Sequence, residues 1–220
     1  MDIYDRLLQF TLFQGMSHAE LMQVAGHTKM DFSKLAAGKR LIREGDPCTQ
    51  LIFLTAGTLQ AESHSDNHSW HVVEQVGAPY ILQPTQLFGI TQRYTTTFRA
   101  LTPCSLITLD KQEVMLLLET QLVFRLNMLN TLATEAQRLR HTNWRQAPDS
   151  LRQRITRFFF AHCLYPAGQK TFHLLMTQLA QELNDSRINI SQALNQMQDD
   201  GLITLHRGRI HIPMLERLLM

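Results

Sequence analysis

The placement of helix breakers constrains this chain more than any other feature. Between Lys29 and Leu109 the turn formers recur every few residues: Gly38, Gly45-Asp46-Pro47, Gly57, Ser65-Asp66-Asn67, Gly77, Pro84, Gly89 and Pro103. The runs between them are short and rich in Ile, Phe, Thr and Val. Runs of that length suit strands, and strands at this spacing predict an antiparallel sandwich or roll. From Asp110 to Pro148 the texture reverses, and neither Gly nor Pro interrupts the chain. That stretch predicts one long helix, opened by a cap at Asp110-Lys111-Gln112-Glu113. Ahead of the strands, Ser17-His18-Ala19-Glu20 has the form of a capping box, so a short helix is expected over Leu21–Ala25.

Within the long helix Leu122, Leu126, Leu129, Ala133 and Ala136 step 4-3-4-3, the spacing of a coiled-coil seam. Two readings compete. The stripe packs on its own domain, or it pairs with a second chain. The helix length and the small Ala residues favour a homodimer through these five residues. Ala147-Pro148-Asp149 ends the helix and marks a domain boundary. The chain then divides into residues 1–110, 111–147 and 148–220.

The last part begins with a new cap at Ser150, followed by a helix bearing Leu151, Ile155, Phe158 and Phe159. A small strand is expected at Phe172–Leu174. Then comes "LAQELNDSRINISQALNQMQDDGLI", Leu179–Ile203. Two apolar-periodic segments meet at Asn184-Asp185-Ser186, and Gly201 supplies a left-handed end. Leu179, Ala180, Leu183, Ile190 and Leu194 close the contact between the two helices. Ser186 caps the second. The polar set left outside is Thr177, Ser186, Arg187, Asn189, Ser191, Gln192 and Asn195. Arg suits the guanine edge, and Asn and Gln suit adenine. Ile203–His206 and Arg209–Ile212 alternate around Arg207-Gly208, a hairpin whose Arg207 and Arg209 suit backbone phosphate. The alternative is a structural or peptide-binding helix pair with Arg187 merely solvated.

Charge agrees with a polyanion partner. From Arg138 onward there are 11 Lys/Arg against 6 Asp/Glu, whereas residues 1–137 hold 10 against 13. The three cysteines, Cys48, Cys104 and Cys163, are scattered and form no CxxC. They predict a reduced, cytoplasmic chain. No secretion signal and no bilayer-length apolar run are seen, so no membrane partner is expected. Enzyme motifs are also missing: no GxSxG elbow, no P-loop, no His-Glu-x-x-His, and no HxH…E set of the kind a β-roll metalloenzyme needs.

Read together, the segments "LAAGKRLIREGD" (Leu35–Asp46), "LIFLTAGTL" (Leu51–Leu59), "FRALTPCSLITLDK" (Phe98–Lys111) and "LRQRITRFFF" (Leu151–Phe160), with Leu179–Ile203, resemble the Crp/Fnr (cyclic-AMP receptor protein) family of bacterial transcription regulators. The resemblance implies an α+β fold. An N-terminal cyclic-nucleotide-binding-like β-roll of eight strands (an antiparallel jelly roll) is followed by a long dimerisation helix and a C-terminal winged helix-turn-helix. It implies a homodimer on double-stranded DNA with a pseudo-palindromic operator, with RNA polymerase as a further partner. In the family's recognition motif the Arg after the Ser contacts bases; here that is Arg187. The next position, often Glu in the family, is Ile188, and a later Arg position is Gln192. The half-site read should differ accordingly.

The sensor half departs further. Cyclic-nucleotide binders of this family place Gly-Glu and then Arg-Ser/Thr around the ligand. Here "LFGITQRYTTTFRA" (Leu87–Ala100) puts Ile90 after Gly89 and Tyr94-Thr95 at the Arg-Ser/Thr pair. Losing charge-assisted bonds to a phosphate costs ~1.5–3 kcal/mol each, so cyclic AMP or cyclic GMP is not the expected effector. Arg93 and Arg99 are the nearest cations. The candidate pocket is therefore Gly89, Ile90, Arg93, Tyr94, Thr95 and Arg99. An iron–sulfur cluster needs about four thiolates, which three scattered cysteines do not supply. Haem would need ligands such as His27, His64, His68, His71 or Cys48, and is likewise not expected. His64-x3-His68-x2-His71 would share one face of a helix, but Ser65-Asp66-Asn67 marks a hairpin tip, so a solvated loop and no metal are expected there. The effector is unassigned. The other readings are a cyclic-nucleotide- or haem-responsive regulator, or an interaction module that does not bind DNA.

Overall fold

The computed structural model describes residues 3–144, 148 and 150–219. Ala147 and Asp149 of the expected boundary lie outside the described residues. In chain order the elements are α1 (Ile3–Leu7), α2 (His18–His27), β1 (Asp31–Leu35), β2 (Arg40–Ile42), β3 (Gln50–Ala56), β4 (Thr58–His64), β5 (His71–Gly77), β6 (Tyr80–Leu82), β7 (Thr96–Ala100) and β8 (Cys104–Asp110). They continue with α3 (Lys111–Thr120), α4 (Leu122–Trp144), α5 (Leu151–Ala161), β9 (Lys170–His173), α6 (Met176–Glu182), α7 (Arg187–Asp199), β10 (Thr204–His206) and β11 (Arg209–Ile212). Two compact units result: residues 1–59 with 77–145, and residues 60–76 with 146–220.

The first unit holds an antiparallel sheet in the order β1-β8-β3-β6, together with the β2–β7 pair. Gly57 makes the turn after β3 possible. Its φ is +94°, and a Cβ there would stand 2.5 Å from the Pro103 carbonyl oxygen, so only glycine fits. The core is aromatic. Phe10 and Phe13 pack on Phe53, and Phe13 packs on Phe124 with ring centroids 5.2 Å apart. The expected N-terminal helix is α2, and its capping box is formed: Ser17 N–H donates to Glu20 Oε2 at 2.7 Å, and Glu20 N–H to Ser17 Oγ.

The helical stretch after β8 is not continuous, contrary to expectation. Gln121 takes an extended conformation (φ −114°, ψ 101°) and separates α3 from α4. No Gly or Pro signals this break. It lets each helix turn its own apolar face inward: Val114 and Leu117 from α3, Phe124 and Met128 from α4. Asn127 fastens α4 to the N-terminal segment by donating to the Leu12 and Gln14 carbonyls at 3.2 and 2.8 Å.

The second unit is built on a sheet in which β10, β11, β9, β5 and the β4 segment from Gln60 are neighbours. Its core joins Trp70 and Val72 of the β4–β5 hairpin to Phe158 and Phe159 of α5, Phe172 of β9, and Leu179, Ile190 and Leu194 of the helix pair. Glu74 stands opposite Lys170 in the β5–β9 register. Both side chains are fully buried, with Lys170 Nζ 2.7 Å from Glu74 Oε2. Glu74 also accepts from the backbone N–H groups of Leu164 and Tyr165. A buried carboxylate without its partner charge is strongly destabilising. Lys170→Met is therefore expected to cost about 3–5 kcal/mol in urea unfolding followed by circular dichroism. Adding Glu74→Gln, which removes the stranded charge and keeps an oxygen for the Leu164 N–H, should recover part of the loss. Unchanged stability of Lys170→Met would contradict the role given to the pair.

Candidate nucleic-acid interface

The helix pair forms as its periodicity predicts. Leu179, Ile190 and Leu194 are buried between α6 and α7, with the small Ala180 beside them. Asn184 adopts a left-handed φ of +48° at the turn, and Ser186 caps α7 by accepting from Asn189 N–H at 3.1 Å. Gly201, at φ +70°, follows the end of α7. The turn carries a polar brace that the sequence did not indicate. Arg154 of α5 donates to the Leu183 carbonyl at 3.0 Å and pairs with the Asp185 carboxylate. Asp185 further accepts from Asn189 Nδ2 and Ser186 N–H, each at 2.8 Å. These bonds, the Asn189 one first, hold its carboxyl below the usual range. The acid ahead of α7 is thus compensated by Arg154, and Asn189 has its amide donor committed to Asp185 while its carbonyl oxygen is still able to accept.

The N-terminal half of α7 faces outward. Arg187, Asn189, Gln192 and Asn195 are exposed, and Ser191 is half-buried. Ile188 is 70% exposed, although an apolar side chain of its size is ordinarily buried. It lies beside Arg187 and could meet a thymine methyl group. The sequence marks Ile188 as the position where the family often carries Glu, and its place off the buried Ile190–Leu194 stripe is the signal that it faces outward. Thr177, Arg187, Arg207 and Arg209 line one recess of about 350 Å³, together with residues of the wing β10–β11 and the start of α6. Four of the nine residues singled out for DNA therefore share one concavity, and the rest follow along α7. Not all the basic residues of this unit contribute to that face. Arg152 pairs with Asp200, Arg154 with Asp185, and Lys170 with Glu74.

The candidate effector residues behave differently. Ile90 is fully exposed, whereas Tyr94 is buried and donates its hydroxyl to the Gln50 carbonyl at 3.1 Å. Burial first, then Cys48, pushes the Tyr94 hydroxyl pKa up. Arg93 donates to the Gly45 carbonyl at 2.7 Å and Arg99 to the Gly38 carbonyl at 2.9 Å. Thr95 exchanges hydrogen bonds with the Gln83 side chain through both its N–H and its hydroxyl. Gly89 has φ +95° and its carbonyl accepts from Gln92 Nε2. These polar groups are spent on the protein's own backbone and side chains.

The expected seam of α4 is open to solvent. Leu122, Leu126 and Leu129 are 56%, 49% and 54% exposed, and Ala133 and Ala136 are exposed as well. Phe124 and Met128, on the other side of the helix, make its contact with its own unit.

Of the three hairpin histidines, His68 is exposed in the loop as expected, whereas His64 and His71 are not part of it. Ser65-Asp66-Asn67 is at the tip, but His64 and His71 flank it on paired strands and are half-buried. His71 stacks on His173 with centroids 4.4 Å apart. Burial, and then the neighbouring His173, lowers the His71 pKa; burial, and then Arg209, lowers that of His173.

Comparison with known proteins gives these features a family. The model of the cyclic nucleotide-binding domain matches residues 32–121, and that of the Crp-like helix-turn-helix domain matches residues 153–220. No curated protein matches in sequence. Among solved structures, the catabolite activator protein of Thermus thermophilus is 17% identical, covers 96% of this chain and 97% of its own, and superposes with a TM-score of 0.51. The sensor domain of the transcriptional regulator DNR from Pseudomonas aeruginosa is 18% identical over 67% of this chain and 93% of its own, with a TM-score of 0.52. The N-terminal domain of a transcriptional regulator from Streptomyces coelicolor A3(2) is 25% identical over 66% and 99%, with a TM-score of 0.50. These likenesses are of fold. With the cyclic nucleotide-binding and Crp-like helix-turn-helix domains present in the expected order, the chain is a Crp/Fnr-type DNA-binding transcription regulator.

Proposed function

We propose that the protein acts as a homodimer that inserts α7 into the major groove of each half of a pseudo-palindromic operator. Arg187, Gln192 and Asn195 read base edges in this arrangement, and Ile188 adds an apolar contact. Thr177, Ser186, Asn189 and Ser191 lie along the groove, while Arg207 and Arg209 of the wing meet phosphate. The observation that carries the reading is the shared recess of Thr177, Arg187, Arg207 and Arg209 beside an outward-facing helix end. RNA polymerase is the further partner implied by the family, and no residue is assigned to it.

The test begins with a duplex selected by the wild-type protein from a random pool. Arg187→Ala should weaken binding to it by about 1–3 kcal/mol and relax one base position. Arg207→Ala with Arg209→Ala should weaken all duplexes alike and flatten the salt dependence by about one unit per lost phosphate contact. Wild-type affinity and selectivity in Arg187→Ala would remove it from the reading set.

The pairing surface is the exposed Leu122–Ala136 stripe of α4, a face that its own unit leaves uncovered. Leu126→Asp or Leu129→Asp should convert the dimer to monomers in light scattering. A persistent dimer would refute this seam.

For the sensor, the commitments of Arg93, Tyr94 and Arg99 support a regulator that does not take cyclic AMP in the family's usual way. A ligand at 100 times its Kd adds ~2.7 kcal/mol of stability. Millimolar cyclic AMP or cyclic GMP should accordingly leave the thermal unfolding midpoint unchanged. A clear upward shift would mean that Arg93 or Arg99 leaves its backbone carbonyl for the cyclic phosphate.

A further inference from the structure

The β4–β5 hairpin gathers metal-binding side chains other than those assigned to DNA. Ser65 N–H donates to the Trp70 carbonyl at 3.0 Å and closes the hairpin tip. The adjoining residues, His64 and His71, then stand across from each other on neighbouring strands, where side chains point to the same face. His71 is in turn opposite His173 in the β5–β9 register. The three imidazoles form a row across β4, β5 and β9, with His64 and His71 ring centroids 5.2 Å apart. Glu62, two residues before His64, shares its face of β4, and its Oε1 lies 3.2 Å from His64 Nε2. The ligand atoms of Glu62, His64 and His71 all fall within 4.8 Å of one another, and all three residues are half-buried.

We propose that Glu62, His64 and His71 bind a divalent transition-metal ion of the zinc class. Two imidazoles and one carboxylate are the donor set such borderline ions take, with a position left for water or a further ligand. Bonds of about 2.0–2.2 Å in a tetrahedron put ligand atoms about 3.4 Å apart. The present spread, within 4.8 Å, is close to that spacing. His173, stacked on His71, restricts the orientation of that ring, as outer-shell partners of metal ligands do. His68, whose ring centroid is 5.0 Å from that of His64, is a further imidazole close to the set. The bound ion would tie β4 to β5 at the tip of the hairpin. That hairpin holds α6 through Trp70 Nε1 to Glu182 (3.1 Å) and Gln178 Nε2 to the Ser69 carbonyl (2.9 Å).

The experiment uses the full chain stripped with a chelator and titrated with zinc in competition with a chromophoric chelator. Cobalt(II) absorption reports the ligand set independently. One zinc per chain is expected, with affinity falling at least about tenfold in Glu62→Gln and further in His64→Ala with His71→Ala. Circular dichroism verifies that the variants are folded, and the mild Glu62→Gln serves if the double variant is not. His27→Ala, in the other unit, should bind as wild type. Absence of stoichiometric zinc in the wild type, or unaltered binding in folded Glu62→Gln and His64→Ala/His71→Ala, would overturn the site. Neither outcome depends on DNA binding.

Discussion

A lysine ammonium and a glutamate carboxylate face each other in the middle of the C-terminal unit, both without solvent exposure. Removing two such charges from water costs several kcal/mol per ion, and only close pairing with further hydrogen bonds offsets it. Glu74 meets that requirement by accepting from Lys170 and from two backbone N–H groups after α5. The pair therefore admits one register between β5 and β9, because a slip of one residue would turn one of the two charges to the opposite face and strand the other. With that register set, Val72 meets Phe172 in the core, and Trp70 reaches the α5 aromatics. The sheet on which the helix pair and wing rest is completed by a hairpin drawn from the sensor half of the sequence.

The same register has consequences on the outer face of that sheet. When Glu74 and Val72 point inward, Val73 and His71 must point outward, since strand side chains alternate. His71 is thereby brought beside His173, and His64 beside His71. The histidine row is a by-product of the buried ion pair and of a hairpin loop of the right length. His64 and His71 would lie about two turns apart along one face of a helix, but they stand directly across from each other in the hairpin. The turn at Ser65-Asp66-Asn67, which rules out the helical arrangement, is what pairs them across the hairpin.

Helix α4 illustrates a division of labour that periodicity alone could not resolve. It carries two apolar stripes. Phe124 and Met128 belong to the core of the first unit, and Leu122, Leu126 and Leu129 do not. Exposed leucines in a row are unusual for a surface helix whose own core is already satisfied. The break at Gln121 allows both arrangements, because it frees α4 from the direction of α3. In the sensor region the contrast is with chemistry. The arginines nearest the expected phosphate position donate to backbone carbonyls, so their charge serves the turns at Gly38 and Gly45.

Much was legible in the amino-acid sequence. Breaker spacing marked the β-rich half, Ser17, Ser150 and Ser186 marked helix starts, and the periodicity of Leu179–Leu194 together with Gly201 outlined the helix pair. These signals are local: each depends on a cap, a turn or an apolar period within a dozen residues. What only the tertiary structure decided depends on residues far apart in the chain. Glu74 and Lys170 are ordinary surface-type residues until β5 and β9 meet. Arg154 counts as one more basic residue until it braces the Asp185 turn. The hairpin 60–76 reads as part of the first domain until its core contacts place it with the second unit. In each case a residue takes its role from a partner that no local pattern names.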